Sequence, residues 1–199
     1  MMILKTEFIN MINDIIKADL LRYTGETDSG KFLPSMLIPG FRYTYFFRKS
    51  QEFNKRSLLG IIFRIFRHID AHFYGFQIPS STQIGKGLYI GHWGTIVVNG
   101  RAIIGDFCNL SPGVTIGQTN RGKNMGVPTI GNRVWIGTNA VIVGNITIGD
   151  NVMIAPNAFV NISVPSNSLV IGNPASVIPR ENATEGYIHY TSTDSSPKQ

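Results

Sequence analysis

The spacing of the apolar positions divides this chain into two parts near residue 74. In the first part apolar residues recur every three or four positions, which is the pattern of an amphipathic helix. This spacing predicts a helix over residues 8–20 and another that starts after Ser57, a suitable N-cap residue. An aromatic stretch over residues 41–53 is predicted to form a short helix between them. Residues 1–74 are therefore a predicted α-helical N-terminal region.

In the second part an aliphatic residue recurs every six positions and is commonly followed by glycine. The fifth position of each hexad is also restricted, mostly to residues of small or moderate size. Two interruptions occur, an extra pair of residues near Val97 and an excursion over residues 118–129. The aliphatic first positions are Ile78, Ile84, Ile90, Val98, Ile104, Leu110, Ile116, Ile130, Ile136, Ile142, Ile148, Ile154 and Val160.

Two restricted positions in every six residues indicate short flat sides with inward-pointing side chains. Three such sides close a triangular coil of about 18 residues, and each coil hydrogen-bonds to the next at the usual spacing between strands. The pattern predicts a mainly β protein whose residues 75–180 form a parallel β-helix. Residues 181–199 are predicted to be a polar C-terminal tail.

Composition suits one compact unit and excludes a large multidomain enzyme, since the chain has 199 residues, 43% hydrophobic and 15% charged. The longest apolar run, residues 58–63, is far shorter than the roughly 20 residues of a membrane-spanning helix. The N-terminus lacks the pattern of a signal peptide, so a cytoplasmic location is expected. The single cysteine, Cys108, excludes an internal disulfide.

The net charge of +6 is concentrated near the N-terminus. Residues 1–67 contain 11 lysines and arginines and 6 acids, a balance of 11 − 6 = +5. Such a basic region could attract a phosphorylated substrate or an anionic membrane face, so peripheral membrane association is one expectation. Nucleic-acid binding is not expected, because no basic motif with interleaved aromatic residues is present.

Three segments, residues 84–98, 109–117 and 172–175, carry a family resemblance. The hexad pattern resembles that of the left-handed β-helix acyltransferases, and these segments resemble their serine acetyltransferase branch. The short helical N-terminus is similar to that of the small members associated with surface-polysaccharide genes. The resemblance implies a left-handed coil, acetyl-CoA as co-substrate and active sites between subunits.

A homotrimer is expected, because the triangular coil is narrow and its outer sides carry large apolar residues that would otherwise face water. These residues are Trp93, Phe107, Trp135 and Phe159.

Only one of the four histidines, His92, lies in the repeat region. Spacing alone favours an exposed turn histidine, but the resemblance implies that His92 is the catalytic base. It would take the proton of an acceptor hydroxyl, a task suited to an imidazole with an ordinary pKa of about 6.5. Gln77 aligns with the family's orienting Asp and could accept an N–H from His92. His189 is predicted to lie in a mobile tail.

The resemblance also implies binding residues for the two substrates. The excursion over residues 118–129 is expected to be a flap over a site between subunits. Candidates for coenzyme A binding are Gly117, Arg121, Lys123, Ala140, Ala158, Gly172, Pro174 and Arg180. Candidates for acceptor binding are Gly91, Trp93 and Asn124. No metal is expected, because the zinc enzymes of this fold need three histidines and His92 stands alone.

Several charged groups that hold serine in the family are missing here. Gly91 replaces an Asp, Gln77 replaces a second Asp, and residues 126–128 replace an Arg-His-Pro sequence. A zwitterion needs partners for both charges, whereas a neutral sugar hydroxyl needs neither. We therefore expect an acetyl-CoA-dependent O-acetyltransferase that acts on a sugar in surface-polysaccharide biosynthesis. The alternatives are L-serine O-acetylation and a non-enzymatic binding solenoid.

Overall fold

The computed structural model describes residues 2–191, with the backbone alone for residues 2–12. It confirms the predicted helices of the N-terminal region. The side chain of Ser57 caps the last of them by accepting a hydrogen bond of 3.1 Å from the Gly60 N–H. The helices are α1 (Met2–Thr24), α2 (Phe32–Ser35), α3 (Pro39–Glu52) and α4 (Leu58–Tyr74), with a 3₁₀ turn at Ser29–Lys31.

Short strands then stack into three parallel sheets that form the sides of a triangular β-helix. The first sheet contains β1 (Phe76–Gln77), β3 (Ile96–Val98), β6 (Thr115–Gly117), β9 (Val141–Val143) and β12 (Phe159–Val160). The second contains β2 (Gln83–Ile84), β4 (Ile103–Ile104), β7 (Thr129–Ile130) and β10 (Thr147–Ile148). The third contains β5 (Asn109–Leu110), β8 (Trp135–Ile136), β11 (Val152–Ile154), β13 (Ser168–Ile171) and β14 (Ser176–Pro179), which is antiparallel to β13.

The register of the sheets confirms the six-residue repeat. Ile130 pairs with Ile148, so one coil takes 148 − 130 = 18 residues, which is three hexads. The aliphatic first position of every hexad is buried, and so is the fifth position except at Gly94. Both interruptions lengthen a coil without disturbing this pairing, because the extra residues lie in corners and loops.

The proportion of helix differs from the prediction of a mainly β chain. More residues lie in helices than in strands, because each flat side of the coil is only two to four residues long. The chain is therefore a parallel β-helix with a substantial helical cap.

Charged side chains of the cap form hydrogen bonds with backbone groups at the open edge of the first coil. Arg48 donates to the carbonyl oxygens of Ile84 and Gly85, each at 2.6 Å, and is paired with buried Asp19 at 2.9 Å. Asp19 in turn accepts a hydrogen bond of 2.9 Å from the Leu88 N–H. Unpaired strand edges bind other strands readily, so these contacts protect the solenoid at its N-terminal end.

Helix α4 packs with its polar side inward. Arg64, Arg67 and Asp70 face the protein, where Asp70 is buried and paired with Arg42 at 2.8 Å. The opposite side is a continuous exposed apolar surface, which we call the α4 apolar face. It consists of Leu58, Leu59, Ile61, Ile62, Ile65, Phe66, Ile69 and Phe73. Eight large apolar side chains exposed on one side of a helix are typical of a contact site.

The outer aromatic residues of the solenoid are less exposed than the sequence suggested. Trp135 packs on the ring of Tyr187 with centroids 5.0 Å apart, and Phe107 lies beneath the ammonium of Lys86. Phe159 is half-buried, and only Trp93, at 66% exposure, remains open. The α4 apolar face therefore exposes far more apolar surface than these four residues do.

Most cations of the N-terminal region have partners inside the protein. Their guanidinium and ammonium groups bind acids or backbone carbonyls of the cap and the first coil, so little of the basic charge forms an open surface. The residues are Arg22, Arg42, Arg48, Lys49, Arg64 and Arg67. This arrangement leaves the expected membrane association without support. Within residues 2–191, no helix has both the length and the apolar character needed to cross a membrane.

Residues 181–191 fold back onto the solenoid, which corrects the prediction of a mobile tail around His189. The side chain of Asn151 accepts two hydrogen bonds from Thr184, and the ring of Tyr187 lies against Trp135. The carbonyl oxygen of His189 accepts a hydrogen bond of 2.7 Å from Nε of Arg22. We call residues 182–191 the C-terminal segment.

Candidate active site

His92 lies at an exposed corner of the first coil, between the third and the first sheet. Ile90 points into the core two residues earlier, and Ile96 starts the next buried strand four residues later. The hexad therefore turns the imidazole outward, as the sequence predicts.

Two cavities meet at this imidazole. The first, of about 350 Å³, lies between α1, the third sheet and the C-terminal segment. The second, of about 380 Å³, is bordered by the start of α3 and by residues 91–93. We call them the acceptor cavity and the side cavity. A base that lines two cavities can act on two molecules that meet beside it.

Arg22 places a buried positive charge in the wall of the acceptor cavity. Its side chain donates to the carbonyl oxygen of Gly87 at 2.8 Å, to Oδ1 of Asn109 at 2.6 Å and to the carbonyl oxygen of His189 at 2.7 Å. All three acceptors are uncharged, and none of the ion pairs in the described part of the chain includes Arg22. Burial lowers the pKa of Arg22 to about 10, so it remains charged at neutral pH.

Aromatic rings form much of the remaining wall. Tyr23 and Tyr89 are in contact, with ring centroids 4.7 Å apart, and the guanidinium of Arg22 lies 5.5 Å from the centroid of Tyr89. Tyr23 donates to the carbonyl oxygen of Ile90 and accepts from its N–H, which fixes the chain two residues before His92. Burial raises the pKa of Tyr23, so the phenol stays neutral.

The side cavity depends on a close contact between α3 and the first coil. A Cβ atom on Gly40 would lie 1.9 Å from the carbonyl oxygen of Ile90, so only glycine fits there. Gly91 is similarly confined, since a Cβ atom would lie 2.9 Å from the ring of Tyr89. An Asp at position 91 would therefore require movement of that ring. Trp93, a predicted acceptor residue, borders this cavity and stacks on Tyr74 at 6.1 Å.

The predicted contact between Gln77 and His92 is not formed. Gln77 is an exposed residue of β1, where it pairs with Val97, and it borders a different cavity beside α4. His92 takes part in no side-chain hydrogen bond among residues 13–191. Within one chain Gln77 lies on a flat side of the coil, whereas His92 lies at a corner, and a catalytic role for Gln77 stays a prediction.

Two of the predicted cofactor residues belong to the core. Ala140 and Ala158 occupy fifth positions of their hexads, and their methyl groups are buried. Their backbone N–H and C=O groups are already used in turns and between coils. Neither residue offers a free backbone group in the single chain, and their role as cofactor contacts stays a prediction.

The other predicted cofactor residues lie away from His92 within one chain. Gly117 ends β6, the middle strand of the first sheet. Arg121 and Lys123 are exposed in the excursion. The side chain of Asn124 anchors this loop by donating a hydrogen bond of 2.7 Å to the carbonyl oxygen of Asn161. A further group is exposed near the last coil. It consists of Gly172, Pro174 and Arg180. The roles of these residues stay predictions.

Sequence reasoning missed the residues that surround His92 in the acceptor cavity. They come from α1 and the C-terminal segment, which are distant in sequence from the repeats. One signal was present, because Asp19 and Tyr23 follow Ile16 and Leu20 at helical spacing. Polar groups on the buried side of a helix require specific partners. The described residues contain no cluster of three His, Cys, Asp or Glu side chains that could hold a metal ion.

Comparisons with known proteins agree with this architecture. Residues 128–161 match the family model described as bacterial transferase hexapeptide, six repeats. A serine acetyltransferase of Helicobacter pylori is 33% identical over 146 residues, which cover 73% of this chain and 85% of that protein. One of Synechococcus elongatus is 34% identical over 145 residues, but the match spans only 59% of its length.

Solved structures show the same similarity. Neisseria gonorrhoeae serine acetyltransferase in complex with serine superimposes with a TM-score of 0.68 at 28% identity, covering 85% of this chain and 69% of that chain. Soybean serine acetyltransferase complexed with serine gives a TM-score of 0.66 at 29% identity, with coverage of 81% and 67%. The parallel sheets of this chain fit the left-handed β-helix of these relatives.

These relatives contradict the predicted sugar acceptor. Each is named a serine acetyltransferase, and none supports a link to surface polysaccharide. The sugar acceptor was predicted because the family's charged groups are missing at Gly91, Gly126 and Val127. Arg22 did not enter that prediction, because only the folded structure brings this residue of α1 to the cavity. The predicted enzyme class, an O-acetyltransferase, agrees with the relatives. The chain belongs to the serine acetyltransferase family of hexapeptide-repeat transferases.

Proposed function

We propose that this chain is a serine O-acetyltransferase, which transfers the acetyl group of acetyl-CoA to the hydroxyl of L-serine. The observation that carries the proposal is the position of His92, which lines both the acceptor cavity and the side cavity. The family relationship supports serine as acceptor and acetyl-CoA as donor. Both are water-soluble metabolites, so we place the reaction in the cytoplasm.

In the proposed reaction His92 is the general base. It takes the proton of the serine hydroxyl as the oxygen attacks the thioester carbonyl, forming a tetrahedral intermediate. When that intermediate collapses, the carbon–sulfur bond breaks, and the imidazolium returns the proton to the departing thiolate. Acetyl transfer is direct in this scheme, with no covalent intermediate on the protein.

Cys108 is unsuited to be a nucleophile. It is fully buried in the core, and burial raises the pKa of its thiol to about 12. The thiol would have to be a thiolate and to reach the acetyl group before it could attack. These properties support direct transfer rather than an acetyl-enzyme.

The test of the function is coenzyme A release with acetyl-CoA and L-serine. We expect release that depends on serine, together with formation of O-acetylserine detected by mass spectrometry. Glucose and a nucleotide sugar at the same concentration serve as comparison acceptors. Release with these sugars that equals or exceeds release with serine would contradict the proposal, and so would the absence of any product.

We also propose that the active form is a homotrimer. The α4 apolar face supports self-association, because eight large apolar side chains otherwise face water. The separation of His92 from the exposed residues near the last coil supports a site completed by a second subunit. Sedimentation of the native chain should give a trimer at micromolar concentration. Ile65→Asp should dissociate it, whereas Lys17→Asp on the exposed side of α1 should not. A native monomer would contradict the proposal.

A further inference from the structure

The guanidinium of Arg22 has more N–H donors than the described residues accept hydrogen bonds from. An arginine side chain carries five N–H donors, and three of those on Arg22 are accounted for by Gly87, Asn109 and His189. One donor remains on Nη1 and one on Nη2. Two unused donors on one guanidinium can bind the oxygens of a carboxylate.

Among the side chains of residues 13–191, no carboxylate forms an ion pair with Arg22. Asp19 lies on the same helix but is paired with Arg48 and with the Leu88 N–H. The other groups that line the acceptor cavity are aromatic rings, histidines, a proline, a leucine and small polar side chains, so the described wall contains no carboxylate. A buried charge without a partner is costly, and it is stabilised when an anion binds beside it.

We propose that Arg22 binds the carboxylate of the acceptor amino acid in the cavity that also contains His92. This inference rests on the proposed function and specifies how serine is held. Arg22 supplies from α1 the positive charge that the excursion lacks at Gly126 and Val127. Because Arg22 and His92 line the same cavity, a serine held at Arg22 shares that cavity with the proposed base.

The two charges of serine are then recognised unequally. Its carboxylate faces a guanidinium, whereas its ammonium meets no acidic side chain in the described wall and lies among the rings of Tyr89, Trp135 and Tyr187. Aromatic faces attract a cation more weakly than a carboxylate does. Loss of the carboxylate from the acceptor should therefore reduce kcat/KM more than loss of the ammonium.

The first experiment compares acceptors on the native enzyme and needs no substitution. Ethanolamine lacks the carboxylate of serine, and 3-hydroxypropionate lacks the ammonium. We expect kcat/KM to fall roughly 100-fold or more for ethanolamine and by about tenfold or less for 3-hydroxypropionate. If serine is acetylated but ethanolamine is used as well as serine, this inference is wrong and the proposed function stands. If serine is not acetylated, the proposed function itself fails.

The second experiment separates binding from a purely structural role, since Arg22 also connects three parts of the chain. Arg22→Gln should raise the KM for serine strongly, while the preference for serine over ethanolamine collapses. Arg22→Lys should retain part of that preference because it keeps the charge. Lys17→Gln, an exposed cation on the same helix, is the control. A loss of activity in Arg22→Gln that is equal for serine and ethanolamine would overturn the inference.

Discussion

Arg22 and Asn109 are joined by a buried hydrogen bond of 2.6 Å from Nη2 to Oδ1, although 87 residues separate them in the chain. The amide of Asn109 donates in turn to the carbonyl oxygen of Tyr187 at 3.2 Å. One side chain of the third sheet thus connects the N-terminal helix to the C-terminal segment. The acceptor cavity depends on this connection, because its walls come from all three elements.

Substitution of His92 is expected to remove catalysis without unfolding the protein. The side chain is exposed and forms no contact that the fold requires. Turnover in His92→Asn should fall by roughly 10²- to 10⁴-fold, the loss typical of a missing general base. Steady-state coenzyme A release measures it, with circular dichroism to check the fold. His68→Asn, on α4 and outside both cavities, should keep native turnover. Native turnover in folded His92→Asn would exclude His92 as the base.

Removal of residues 182–199 should weaken serine binding more than it slows chemistry. The deletion takes away the His189 carbonyl that binds Arg22 and the Tyr187 wall of the acceptor cavity. We expect the KM for serine to rise by about tenfold, the effect of losing one charge-assisted hydrogen bond. Deletion of residues 192–199 alone keeps these contacts and is the control. An unchanged KM in the longer deletion would show that the C-terminal segment has no part in the site.

The buried pair of Asp19 and Arg48 should dominate the stability of the cap. Arg48→Met leaves Asp19 buried without its cation, which is expected to cost about 3–5 kcal/mol in the free energy of unfolding. Lys17→Met breaks the exposed pair with Asp14 and should change it by less than about 1 kcal/mol. Urea unfolding followed by circular dichroism compares the two variants. Equal losses would contradict the assigned role of the buried pair.

The loss in Arg48→Met should also depend on pH. Burial raises the pKa of Asp19, and Arg48 opposes that rise in the native protein. Without Arg48 the folded state favours the protonated acid, so stability declines as the pH rises above the unfolded-state value of about 3.9. The variant should therefore lose less stability at pH 5 than at pH 8. A loss that grows as the pH falls would have the wrong sign.

Cys108 should resist alkylation in the folded protein. Its buried thiol donates a hydrogen bond of 3.2 Å to the carbonyl oxygen of Gly131. Burial raises the pKa of this thiol to about 12. At pH 8 iodoacetamide should leave the native chain unmodified and label one site in guanidinium chloride, because only the thiolate reacts. Intact mass measures the labelling. Rapid modification of the native chain would place Cys108 outside the core.

The repeat region was predictable because its sequence signal is local. Each hexad positions its own side chains, so Ile104 or Val134 can be assigned to the core without knowledge of the rest of the chain. The corner position of His92 follows from the same count. Ser57 likewise marked the start of α4 by its type and place.

The acceptor cavity was not predictable in this way, because its residues are related only through the folded structure. Arg22 reads as one of several basic residues on a helix, and His189 as part of a polar tail. Neither has a periodic neighbour that indicates its partner. The missing family cations at Gly126 and Val127 were visible, whereas their replacement by Arg22 on α1 depended on how the cap docks on the first coil.

The α4 apolar face links the stability of the folded chain to the concentration of the protein. If neighbouring subunits cover these side chains, part of each chain's stability comes from association, which follows mass action. Dilution would then lower the thermal midpoint even though no bond within the chain changes. A measured unfolding free energy would describe the protein only at a stated subunit concentration. In a cell, newly made chains would have a lower unfolding free energy until enough copies had accumulated to assemble.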